Sequence, residues 1–183
     1  MRSPSDPCHP AAPASAGEAF RRPSPNRSCT WFAHEVAWWA PFERDAKRCH
    51  GYPITTERTL NALTYRTHLE VPGVLAPVAV SVRFEHAPTY NTYGLAAQDY
   101  PRVWAERGLP SPHRMPTDDS LCLFFPHDPP ERRWHSALGL LTLLDLARDH
   151  LFFEHHWRTT GGWSGGEWLG AQAPHGFPGS NTR

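Results

Sequence analysis

The clearest alternation of apolar and polar positions runs through residues 61–71. Leu63, Tyr65, Thr67, Leu69 and Val71 alternate with Thr64, Arg66, His68 and Glu70. A period of two gives a strand one buried face and one wet face. Pro72-Gly73 predicts a turn. Residues 78–86 repeat the pattern, with Val78, Val80, Val82 and Phe84 inward and Ser81, Arg83 and Glu85 outward. The two segments should pair as an antiparallel hairpin with a longish loop. Residues 100–105, containing Val103 and Trp104, read as a third strand. Gly108, Pro110, Pro112 and Pro116 then exclude regular structure up to Asp118.

Helical spacing dominates residues 136–157. Ala137, Leu140, Leu141, Leu144, Ala147 and Leu151 form one wide face, with Leu143 and Leu146 beside it. Ser136 is the expected N-cap. The polar stripe of Thr142, Asp145 and Asp149 is narrow, so this helix should lie mostly buried across a sheet. In residues 30–48 the spacing of Phe32, Val36 and Trp39 suits a short helix that Pro41 would end, with a strand as the alternative. The fold class is therefore α+β, with helices segregated from an antiparallel sheet. Residues 1–28 are rich in Pro and Ser and are expected to be disordered or loosely attached. Residues 29–160 form the folded domain. Residues 161–183 make an irregular Gly/Trp-rich tail, pinned by Trp163 and Trp168.

Composition narrows the classes. The 183 residues carry 18 basic and 18 acidic side chains and no formal net charge, which argues against nucleic acid as a partner. No apolar run approaches the roughly 20 residues needed to cross a bilayer, so no membrane span is expected. The first 30 residues lack the apolar core of a secretory signal, and a cytoplasmic protein follows. Lys47 is the only lysine. Codon bias in a GC-rich genome accounts for this; the alternative is a protein that handles activated acyl groups and avoids modifying itself.

Candidate chemistry centres on one of four cysteines. Cys8, Cys29, Cys49 and Cys122 show no CxxC spacing, so no zinc or thioredoxin-like site is expected, and in a reducing cytosol disulfides are not expected either. Only Cys122 has a setting suited to reaction. It lies in Asp118-Asp119-Ser120-Leu121-Cys122-Leu123-Phe124-Phe125, an apolar run after a Pro/Asp loop that Leu121, Leu123, Phe124 and Phe125 would anchor on the sheet. A reachable thiolate shielded from water can carry an acyl group. The alternative is a small buried hydrophobe. Asp118 and Asp119 read as a solvated turn; close to the thiol they would raise its pKa. His150 and Glu154 share a helix face, but the spacing is neither HExxH nor HxxEH. No metal or cofactor is expected.

Four ordered features resemble the ubiquitin-conjugating (UBC) family across roughly residues 31–157. Tyr100-Pro101-Arg102-Val103-Trp104 resembles the Tyr-Pro element before the last strand. Pro112-His113 stands where the family carries His-Pro-Asn. Cys122-Leu123 follows a short polar turn, and Trp134 with Ser136 precedes the apolar helix. The match is closer to the prokaryotic branch encoded in cyclic-oligonucleotide anti-phage (CBASS) operons. The resemblance implies an antiparallel strand meander with a covering helix after the active-site cysteine loop. It implies Cys122 as nucleophile and His113 as a catalytic neighbour. The implied partner is the C-terminus of a cGAS-like nucleotide cyclase or of a ubiquitin-like protein, activated by a separate enzyme because this chain has no adenylation motif. The family's Asn is absent: Arg114 and Met115 follow Pro112-His113. Losing such an oxyanion donor costs on the order of 3 kcal/mol of transition-state stabilisation. Its replacement would be His113, Arg114 or backbone N–H groups near Cys122. The rival reading is a non-catalytic scaffold of the same fold that binds a partner. A thiol hydrolase would need His113 or His127 within reach of Cys122.

Overall fold

The computed structural model describes residues 31–162. The segment 1–28, Cys8 and Cys29, and the tail from residue 163 lie outside the described residues. The element order is α1 (Val36–Cys49), β1 (Thr55–Arg58), β2 (Ala62–Leu69), β3 (Val78–Glu85), β4 (Arg102–Ala105) and α2 (Gly139–Thr160), with short 3-10 turns between them. The four strands form one antiparallel sheet in the order β1-β2-β3-β4. The class is α+β. No helix among the described residues is long and apolar enough to cross a membrane.

The hairpin of β2 and β3 forms as its alternation requires. Leu63 pairs with Phe84, Tyr65 with Val82 and Leu69 with Val78, all of them buried. Residues directly opposite share a face, so this register puts the apolar sets of both strands on the same side. The expected third strand is β4, the fourth in the chain. The additional strand, β1, pairs Thr55 with Arg66 and Arg58 with Leu63. It is a short, largely exposed edge of Thr-Thr-Glu-Arg, which carries no apolar alternation from which to read it.

Two expectations for α1 are corrected. Pro41 does not end the helix but lies inside it. Only one intrahelical bond is forfeited, and the residues beyond Pro41 are pinned from outside. Phe42 stacks on Trp38 at 4.7 Å between centroids and meets Phe84 edge-on at 5.5 Å. Buried Glu43 accepts from the Tyr65 hydroxyl at 2.8 Å and is ion-paired with Arg58 and Lys47. A buried carboxylate is tolerable only with such partners. The inward face is Phe42, Glu43 and Ala46, whereas Val36 is exposed.

The long helix also begins differently. Ser136 caps no α-helix; its N–H and hydroxyl both donate to Asp99 Oδ1, at 2.8 and 2.7 Å. The chain makes a 3-10 turn over Ser136–Leu138, and α2 follows from Gly139, whose φ of +80° favours glycine. The buried stripe is Leu140, Leu143, Leu144, Ala147, His150, Leu151 and Glu154. Ala137 is exposed and Leu141 half-buried, so the stripe is turned toward two polar residues, His150 and Glu154. Gly161, in the left-handed region, donates its N–H to the Trp157 carbonyl at 2.8 Å and ends the helix at the Gly-Gly break.

Phe84 is the junction of sheet and helices: it is fully buried and its ring contacts Phe32, Trp38, Phe42, Tyr65 and Trp134. Phe84→Ala should therefore destabilise the domain by about 3–5 kcal/mol, read as a lowered denaturant midpoint at unchanged m-value. A loss below ~1 kcal/mol would mean that the aromatic cluster does not carry the core.

Candidate active site around Cys122

After β4 the chain makes an irregular excursion and returns to the end of the sheet. It folds back on itself through an isolated bridge between Arg114 and Leu121. Met115 N–H donates to the Ser120 carbonyl at 2.7 Å, and Asp119 N–H to the Met115 carbonyl at 2.9 Å. Asp119 stands at the corner with φ of +60°, a conformation that aspartate tolerates better than most residues. Leu121 N–H donates to Val103 on β4 at 2.8 Å, and Cys122 N–H to the His113 carbonyl at 3.1 Å. The cysteine backbone is thus fixed from two sides.

The two aspartates are not a solvated turn. Asp118 Oδ1 accepts from the Ser120 N–H and hydroxyl at 3.0 and 2.7 Å, and its carbonyl accepts from Trp104 Nε1 at 2.9 Å. Asp118 Oδ2 is ion-paired with Arg102 Nε at 3.1 Å. Asp119 Oδ2 accepts from the Gly108 N–H at 2.7 Å and from Arg114 at 3.3 Å. They are spent on the loop and on two cations.

Arg114 is the knot of this loop. Its side chain is 5% exposed. Nε and Nη2 grip Glu154 of α2 at 3.0 and 2.7 Å, and Nη1 reaches the Ala105 and Glu106 carbonyls at 2.8 and 3.2 Å. His150 adds a contact to Glu154 at 3.1 Å. Burial by itself would raise the Glu154 carboxyl, but hydrogen bonds from His150 and Arg114 outweigh it and hold the pKa at about 2. The His150–Glu154 pair noted in the sequence is therefore part of a buried clamp. Arg114, one of the candidates for oxyanion support, is fully committed to it.

His113 is 3% exposed. Its N–H is bonded to Ser111 Oγ at 3.1 Å and its carbonyl holds Cys122. His127 is exposed, with its ring against Tyr93 and Phe125. The Cys122 N–H points to His113, so it does not offer an oxyanion donor in this arrangement. Leu121 is buried, and Leu123 and Phe124 pack on the core, as anchoring of the loop requires; Phe125, the fourth expected anchor, is outside that cluster, with its ring against His127. Phe124 lies against Tyr100 and Trp134.

Cys122 is a free thiol, half-buried. It lines a void of about 10 Å³ with Tyr100, Arg102, Met115, Phe124 and Leu143, among others. Burial pushes its pKa up to about 11, against an opposing pull from the Arg102 guanidinium. Arg102 is the residue that the sequence did not reveal. It is 4% exposed, and its guanidinium lies 4.0 Å above the Tyr90 ring and 5.2 Å from that of Tyr100. On an alternating strand Arg102 reads as an outward, solvated position; Tyr90, Tyr100 and Asp118 cover it.

Cys49, at the end of α1, is disulfide-bonded, which corrects the expectation of reduced cysteines. Pairing depends on proximity in space, which cysteine spacing does not encode. No protein-family model matches the chain, and no curated protein matches it.

Two outcomes follow from the clamp. Because Glu154 sits below its ordinary value of 4.5, its contribution to stability is complete above that value. It should be lost as pH falls toward about 2, which acid unfolding of the native chain would register. Glu154→Gln would leave the buried Arg114 charge only its longer pairing with Asp119 and should cost up to about 3–5 kcal/mol; equal acid sensitivity in the variant and the native chain would show that another carboxylate is responsible.

Proposed function

We propose that the protein is a ubiquitin-conjugating-type acyl carrier. The observation that carries this reading is a half-buried free thiol at the end of an irregular loop, beside a buried cation, with the loop clamped between the last strand of a meander and the helix that follows. Its antiparallel meander, cysteine loop and covering helix, in that order, agree with what the family resemblance implies. Cys122 is the nucleophile, and His113 fixes its backbone. In this reading the Cys122 thiolate attacks the carbonyl carbon of an activated C-terminal acyl group, a C–S bond forms and the donor's leaving group departs. An amine then attacks the thioester, the C–N bond forms and Cys122 leaves as thiolate. A separate activating enzyme supplies the donor. The cargo is the C-terminus of a cGAS-like nucleotide cyclase, or of a ubiquitin-like protein, in a cytoplasmic anti-phage system. No metal or cofactor enters the chemistry.

A second reading has one observation in its favour. The resting thiol is pushed up to about 11, which suits a structural cysteine in a partner-binding scaffold of the same architecture.

The discriminating experiment is coexpression with the candidate cyclase and activating enzyme. A thiol-labile adduct should appear on the native chain and vanish in Cys122→Ala, which should fold normally because the thiol fills only a partly open position. Cys122→Ser should trap a more stable ester. An unaltered adduct in Cys122→Ala would end the enzyme reading, and no adduct with any partner would favour the scaffold.

A further inference from the structure

We propose that Arg102 is the catalytic cation of this site, facing the cavity it shares with Cys122 and stabilising first the thiolate and then the oxyanion of acyl transfer. The proposal rests on the thioester reading above and supplies the donor that the missing Asn leaves vacant.

Geometry and elimination both lead to Arg102. Asp118 is ion-paired with the guanidinium through Nε at 3.1 Å, the one carboxylate so paired with it among the described residues, and the Tyr100 hydroxyl is also bonded to it. The Tyr90 ring supports its plane, so the group is pre-oriented rather than swinging in solvent. Arg102 and Cys122 line the same small void. Two of the other candidates are occupied, Arg114 by Glu154, Asp119 and two carbonyls and the Cys122 N–H by the His113 carbonyl, and the third, His113, is buried and meets Cys122 through its backbone. The titratable and charged groups facing the thiol are Arg102 from β4 and Tyr93 and Tyr100 from the chain before it. From α2 comes Leu143, which does not titrate. Burial holds both phenols above their ordinary range, so they stay neutral and bring no competing negative charge.

The steps balance with one cation. Solvent takes the Cys122 proton, and Arg102 compensates the resulting thiolate. The thiolate attacks the donor carbonyl, the C–S bond forms and the carbonyl electron pair moves to oxygen, beside the same guanidinium. Collapse of this intermediate breaks the donor's own bond to its leaving group. In the second step an amine adds to the thioester, its extra proton goes to water, and the C–S bond breaks to return Cys122 as thiolate to Arg102. A fixed charge aimed at the developing anion in a water-poor site needs no reorganisation during the reaction.

The test uses the full chain and iodoacetamide, which reports thiolate formation without any cargo. An opposite charge close by shifts a pKa by about one to three units, so Arg102→Met should alkylate Cys122 at least about tenfold more slowly below the midpoint. Arg102→Lys should restore most of the rate. Asp118→Asn keeps the Oδ1 acceptor for Ser120 but releases Arg102 from its carboxylate, so it should alkylate faster than the native chain. This opposite sign is not expected from mere damage to the loop, and it decides the matter if Arg102→Met does not fold. Unchanged alkylation profiles in folded Arg102→Met, or a slower Asp118→Asn, would overturn the proposal. Single-turnover loading by the activating enzyme separates the two layers. Loading that is native-like in Arg102→Met refutes the role of Arg102 and leaves the thioester reading intact. Shifted alkylation with no loading in any variant refutes the thioester reading and the oxyanion role, and leaves a cation-activated thiol.

Discussion

The arrangement around Cys122 depends on the buried pair between Arg114 and Glu154. Residues 106–121 have almost no regular hydrogen bonding of their own, and a loop of that length ordinarily wanders. Arg114 ends that freedom by touching the last turn of β4, the corner at Asp119 and the middle of α2 at once. The bond is costly to assemble, because both charges leave water. Its return is that the cysteine, the strand and the covering helix share a fixed frame. Arg158, ion-paired with both Glu106 at 2.6 Å and Glu154 at 3.4 Å, closes the same frame nearer the surface.

The sheet and the long helix were legible in sequence because burial imposes period two on β2 and β3 and a 3.6-residue stripe on α2. β1 was not legible, since a wet edge strand needs no apolar face and its pairing is supplied by the backbone of β2. Pro41 misled for a related reason. Local propensity treats proline as a stop, while the contacts of Phe42 with Phe84 and of Glu43 with Arg58 and Tyr65 come from residues farther along the chain and outweigh one missing bond. Ser136 looked like a helix cap, yet its hydroxyl was taken by Asp99, 37 residues away.

For the candidate site, sequence reasoning singled out Cys122 and His113, which the structure joins by one backbone hydrogen bond, and three of the four apolar residues expected to seat the loop pack on the core. It assigned Asp118 and Asp119 to solvent, because a run of polar residues after prolines is usually exposed. It passed over Arg102 altogether. A buried guanidinium is created by the residues that cover it, here Tyr90 and Tyr100, and no spacing rule links a strand position to an aromatic ring in a preceding loop. Helix α2 holds a second case: Glu154, noted in the sequence only for sharing a face with His150, becomes a buried anchor through Arg114, 40 residues upstream.

The pairing of Lys47 with buried Glu43 has a consequence of another kind. Lys47 is the sole lysine of the chain, and its ammonium is held on a carboxylate one helical turn away. The many arginines offer no amine of that kind. The polypeptide therefore offers an acyl donor a single side-chain amine, so an isopeptide bond formed on one of its own side chains can lie only at Lys47.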